Sequence, residues 1–116
     1  MADLLVDTDV FVDHLRGSRR LELTGERIHF SSISRAELFA GPSSQLDAVR
    51  TLLGSFVELP VGSVVAELGG RIKREAAIPL PDALIAATAL SSSLALVTRN
   101  LRHFERVDRL VVRRPG

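Results

Sequence analysis

Cysteine is absent from this 116-residue chain, which excludes disulfides and thiolate metal ligands and fits a cytoplasmic setting. Long apolar runs are absent too. None approaches the roughly 20 residues that cross a bilayer as a helix, so no membrane insertion is expected. The segment Met1 to Asp7 has neither a basic region nor an extended apolar core, so it is not expected to be a secretion signal. Lysine is scarce, with Lys73 the only one, and the remaining cations are arginines. Repeats, low-complexity stretches and linkers are also missing, which leaves one expected domain over residues 1–116.

What is present is ordinary for a globular protein. An apolar share of 46% and a charged share of 25% suffice for a core without staples. The net charge of +1 favours no class of partner, but its distribution is uneven. Arg99, Arg102, Arg106, Arg109, Arg113 and Arg114 crowd the last stretch against only Glu105 and Asp108. Such a basic end either attracts phosphates or is a solvated face.

Hydrophobic periodicity gives alternating elements. Leu4–Val6 reads as a buried strand, followed by a helix carrying Val10, Phe11 and Leu15 and stopped at Gly17. Residues 18–26 are polar and ambiguous. Ile28–Phe30 reads as a second strand, with a helix from about Arg35 ended by Gly41-Pro42. Leu46, Val49, Leu52 and Leu53 have helical spacing; Phe56–Leu59 reads as a strand; Val64, Val65, Leu68 and Ile72 mark another helix. Pro79 and Pro81 bracket a turn before a helix from Asp82 to about Ser91. Strands are expected at Leu94–Val97 and Leu110–Val112, and flexible loops at 18–26 and 42–44. Short apolar strands alternating with helices predict an α/β fold, three layers with a mostly parallel central sheet.

In such a sheet ligands bind at the carboxyl ends of the strands. Asp7 follows the first strand, Glu37 is expected in the first turn of the second helix, and Asp82 opens the helix before Leu94–Val97. Each also fits a helix cap: Asp7 or Thr8 at one start, a capping box with Ser34 at N-cap and Glu37 at N3, and Asp82 after Pro81. Together on one rim they would repel unless a cation sat between them, and Mg²⁺ prefers such hard oxygen ligands.

Four segments also resemble a known family. Leu5-Val6-Asp7-Thr8-Asp9-Val10-Phe11-Val12 resembles the first motif of PIN domains, and Ser31 to Gly41, with Glu37-Leu38, resembles the second. Pro81-Asp82-Ala83-Leu84-Ile85-Ala86-Ala87 is similar to the third, and Leu96-Val97-Thr98-Arg99-Asn100 through Phe104 to the fourth. Their order and the chain's length look most like the VapC toxins of toxin–antitoxin pairs. The resemblance implies a PIN-like domain that cuts RNA with Mg²⁺ or Mn²⁺, leaving 5′-phosphate and 3′-hydroxyl ends. It implies Asp7, Glu37 and Asp82 as acidic metal ligands and Thr8, Ser34 and Thr98 as supporting groups. Many relatives carry a fourth acid where this sequence has Asn100 or His103. Asn100 can still offer a carbonyl oxygen, His103 a phosphate contact or a structural bond, and Asp9 a compensating carboxylate. The resemblance further implies an antitoxin whose amphipathic helix lies in an apolar groove drawn from Phe11, Leu15, Leu38 and Phe39, and a homodimer or a toxin–antitoxin hetero-oligomer.

Two other functions compete. Asp7-Thr8-Asp9 resembles the Asp-x-Asp of phosphatases with an aspartyl nucleophile, but those also need a later Lys and a Gly-Asp pair, and no Gly-Asp occurs here. A binding module that keeps the scaffold without turnover is the other.

Overall fold

In the computed structural model, residues 3–21 and 26–116 are described. Five strands, β1 (Asp3–Val6), β2 (Arg27–Ser31), β3 (Val57–Leu59), β4 (Ala95–Val97) and β5 (Val112–Arg113), form one sheet in the order β3-β2-β1-β4-β5. Every pairing is parallel, with Leu5 opposite His29 on one side and Leu96 on the other. Parallel strands need crossovers, and among the described residues six helices supply and cover them: α1 (Thr8–Arg16), α2 (Ser32–Phe39), α3 (Leu46–Leu53), α4 (Ser63–Ala76), α5 (Leu80–Ser91) and α6 (Leu101–Phe104).

Strand alternation divides the core between two faces. Leu5 and Leu96 point into a cluster with Ile72, Ile78, Ile85 and Phe104 under α4, α5 and α6. Leu4, Val6, Ile28, Phe30 and Val97 point the other way, against Phe11, Leu38, Val49 and Leu53 of α1, α2 and α3. Phe11 meets Phe30 edge-on at 6.0 Å. The expected three layers follow from this two-sided burial.

The strand order reverses direction at β1. The chain moves outward from β1 through β2 to β3, then returns across the sheet through α4 and α5 to place β4 on the other side of β1. The crevice between β1 and β4 at their carboxyl ends is therefore the topological switch point, where open α/β sheets bind ligands.

Several boundaries differ from the sequence reading. The helix expected from about Arg35 begins at Ser32, because β2 turns directly into α2 at Ser31. Ser31, extended at φ −82° and ψ 147°, is its N-cap, and its hydroxyl accepts from the Ile33 amide. Ser34 is thus inside the helix and Glu37 in its second turn, so the capping box does not form. Helix α5 begins at Leu80 with Pro81 in its first turn, where a missing N–H costs nothing, so Asp82 lies inside the start rather than at it. The loop tip expected at 42–44 runs instead into a 3₁₀ turn over residues 43–45 that leads into α3. Helix α6 was not expected. The last strand is Val112–Arg113 rather than Leu110–Val112. Gly17 ends α1 as expected, in the left-handed region at φ 74° that glycine favours. Of the ambiguous stretch 18–26, residues 22–25 lie outside the described residues.

Candidate active site at the switch point

Asp7 leaves β1 with its amide bonded to the Val97 carbonyl of β4 (2.9 Å), which locks the two strand ends together. It is the N-cap of α1, and its Oδ1 accepts from the Thr8 amide at 2.8 Å. The capping alternative is therefore correct for Asp7, and it does not displace the site role. Its Oδ2 accepts from the Thr98 hydroxyl at 2.7 Å, across the crevice from the end of β4. The same hydroxyl accepts from the Asn100 amide at 3.0 Å. Thr98, fully buried, thus ties the first motif to the fourth.

Glu37 reaches the same place from α2. The Thr8 hydroxyl donates to Glu37 Oε1 at 2.6 Å and lies 2.8 Å from Ser34 Oγ. An anchor in the middle of β3 steadies α2: Arg35 donates twice to Glu58 Oε1, and Ser32 donates to Glu58 Oε2. Arg35 holds the Glu58 carboxyl below its ordinary range. Asp82 arrives from the first turn of α5, where the helix dipole favours a negative charge. His103 Nδ1 stands 3.1 Å from Asp82 Oδ2 and 2.8 Å from the Asn100 side-chain nitrogen Nδ2. One ring nitrogen serves a single such bond at a time: when protonated, Nδ1 donates to Asp82, and when bare it accepts from the Asn100 side chain.

Asp7, Thr8, Asp9, Val12, Glu37, Asp82, Arg99 and Asn100 line one open pocket of 280 Å³. The three acids singled out in the sequence share that pocket, as does Asn100. His103 does not line it and touches Asp82 instead. Ser34 and Thr98 support it, through Thr8 and Asp7 respectively.

The electrostatics are unfavourable as they stand. Burial, then the neighbouring Asp9 charge, pushes the Asp7 carboxyl up to about 7, although the Thr98 hydroxyl and Thr8 amide oppose the rise. Burial also raises Asp9, against the Arg99 amide and guanidinium. Asp9 Oδ1 is buried and has no hydrogen-bond partner among the described residues. A divalent cation would relieve all three features, and the donors are the hard oxygens that Mg²⁺ and Mn²⁺ take. Among the described residues no three acidic or imidazole side chains already stand close enough to share one ion. Mg²⁺ does not require that, since it keeps several waters and uses one or two carboxylates. The donor set therefore fits.

Asp13 escaped the sequence reading, and Arg99 entered it only as part of the basic C-terminal end. Asp13 Oδ2 lies 2.8 Å from Arg99 Nε, and Arg99 in turn approaches Asp9. The signal was available: Asp9 and Asp13 are one turn apart on the same helical face, an arrangement that repels unless a cation comes between.

A parallel five-stranded sheet with acids gathered at its switch point defines an α/β protein with an acidic site at its strand ends, and comparison places it. The family model for the PIN domain matches residues 4–110, so the chain belongs to the PIN-domain family. It is 38% identical over 113 residues to ribonuclease VapC19 of Mycobacterium tuberculosis, covering 86% of this chain and 90% of that protein. With ribonuclease VapC10 of the same organism it shares 37% over 119 residues, 92% and 90% of the two chains. The fold matches that of a DNA-bound VapBC from Salmonella typhimurium with a TM-score of 0.86 and 27% identity, over 98% of each chain.

Proposed function

We propose that this chain is an endoribonuclease toxin of a toxin–antitoxin pair, hydrolysing RNA phosphodiester bonds at a site that takes Mg²⁺ or Mn²⁺. One observation carries the reading: Asp7, Glu37 and Asp82, from three separate elements, line a single pocket at the switch point. The similarity to proteins named VapC ribonucleases supports RNA as the substrate class.

Asp7 with one of Glu37 and Asp82 would hold the ion directly and the other through a retained water, with the Asn100 side-chain oxygen as a neutral donor in place of a fourth acid. A bound ion supplies an acidified water, a polarised phosphoryl oxygen and screening of the leaving oxygen. The chain's own residues do the rest. Thr98 and the Thr8 amide fix both oxygens of Asp7. Glu37 and Asp82 each have one oxygen engaged, Oε1 by Thr8 and Oδ2 by His103. Their other oxygens are left to orient a water or accept its proton.

Asp7→Asn and Asp82→Asn should each abolish cleavage of a structured RNA panel while circular dichroism stays at the parent value. Unchanged cleavage by both variants would overturn the ligand assignment. A non-catalytic binding module is the second reading, favoured by the lack of a closed three-ligand group among the described residues. Metal-dependent turnover by the parent separates the two.

The antitoxin's place is the groove beside the pocket, between α1, α2 and α3. Val12, Leu15, Leu38, Pro42 and Val49 line it, and Val12 and Glu37 are shared by both cavities. An amphipathic helix fits such a channel. Two residues expected there are used elsewhere. Phe11 is fully buried in the core, and Phe39 packs on that core beneath Arg50.

A further inference from the structure

Arg99 is the only cation among the described residues that line the pocket, where it faces Asp7, Asp9, Glu37 and Asp82. An RNA phosphate entering there meets four carboxylates, and one divalent ion offsets only part of that charge. The chain fixes Arg99 at two points. Its backbone amide donates to Asp9 Oδ2 at 3.1 Å, directly after the buried Thr98. Its guanidinium approaches Asp13 at 2.8 Å and Asp9 at 3.9 Å, both times through Nε. The Asp13 side chain is only 13% exposed, whereas that of Arg99 is 54% exposed. With Nε engaged by Asp13, the half-exposed guanidinium still carries its two Nη groups, whose spacing suits two parallel bonds to a phosphate.

We propose that Arg99 binds the substrate phosphodiester through its Nη edge, with Asp13 as the residue that positions it. This rests on the ribonuclease reading and names a substrate contact within that site. A counter-ion confined to neutralising α1 would not need half its side chain in solvent at the mouth of the pocket. Nor would it need its main chain pinned to the same helix.

The test compares Arg99→Gln, Arg99→Lys and Asp13→Asn with the parent. Cleavage of single-stranded RNA is followed with Mn²⁺, and binding of the same RNA by fluorescence anisotropy over a salt series without metal. Arg99→Gln should lose at least about tenfold in kcat/KM, the loss of one or more charge-assisted contacts. Its log–log salt slope for binding should fall by about 0.7, one phosphate contact on a single strand. Arg99→Lys keeps the charge but not the fork, so it should retain the slope and recover only part of kcat/KM. Asp13→Asn should lower kcat/KM in the parent background and have little further effect with Arg99→Gln. Parent-like binding, slope and kcat/KM in Arg99→Gln would overturn the proposal and leave the ribonuclease reading standing. So would a loss accompanied by a lowered Tm with an unchanged slope, which marks a purely structural ion pair. A parent that neither binds nor cuts RNA would overturn both.

Discussion

At the residue scale the site is organised by one threonine and one aspartate. Thr98 donates to Asp7 and accepts from Asn100, so a single hydroxyl holds a ligand and the loop that follows β4. Thr98→Val keeps the shape but strands both partners in a buried place. It should destabilise the protein by about 1–3 kcal/mol, read by urea denaturation, with Thr98→Ser close to the parent. Asp7 sets a pH dependence. Its carboxyl is raised from 3.8 to about 7 in the folded chain by burial and by Asp9. The folded state therefore holds this proton more tightly than the unfolded state, and stability must fall as pH rises through that interval. Metal-free protein should show a lower Tm at pH 8 than at pH 5, a drop reduced in Asp7→Asn. The asparagine can keep the Thr8 bond through its oxygen, while its amide donates to Thr98. A Tm that rises over the same interval, with no difference between parent and variant, would remove the basis for this assignment.

At the element scale the position of Asp82 depends on how closely α4 packs on α5. Gly69 makes that approach possible: a Cβ there would lie 2.5 Å from Leu84 Cδ2 and 3.3 Å from Leu84 Cα. Alanine would gain about 1 kcal/mol of helix propensity over glycine. Overpacking a close contact costs about 1–3 kcal/mol, so the clash should win. Gly69→Ala is expected to lower thermal stability, and the added change Leu84→Ala to relieve the clash while opening a cavity of its own. Cleavage by Gly69→Ala should fall with it if α5 is pushed away from the pocket. The elements were mostly legible in the sequence, because periodicity 3.6 and periodicity 2 differ and the apolar runs were short. Their starts were less so. Ser31, Ser32 and Ser34 are all plausible caps, and only the end of β2, set by its pairing with β1 and β3, selects Ser31. Helix α6 is four residues long, too short to show a period.

At the scale of the whole molecule, ligand binding and folding are linked. A divalent ion that occupies the pocket only in the folded state stabilises by mass action, about 2.7 kcal/mol at a hundred times its Kd. Tm should therefore rise with Mn²⁺ concentration, more at pH 8 than at pH 5 because protons compete at Asp7, and Asp82→Asn should blunt the rise. A Tm indifferent to Mn²⁺ in the parent would count against the site as a metal centre. The sequence by itself determined the α/β alternation, the two-faced burial and the identity of Asp7, Glu37 and Asp82 as candidates. Those depend on local pattern and on motifs that each fit within a dozen residues. Only the tertiary structure decided that β4 lies beside β1, that Thr98 therefore reaches Asp7 across 91 positions, and that Arg99 comes down on Asp9 and Asp13. The reason is physical: periodicity reports which face of an element is buried. The choice of neighbouring strand, and hence of the side chains that meet at the sheet's edge, is made by the crossovers and by packing on both faces at once.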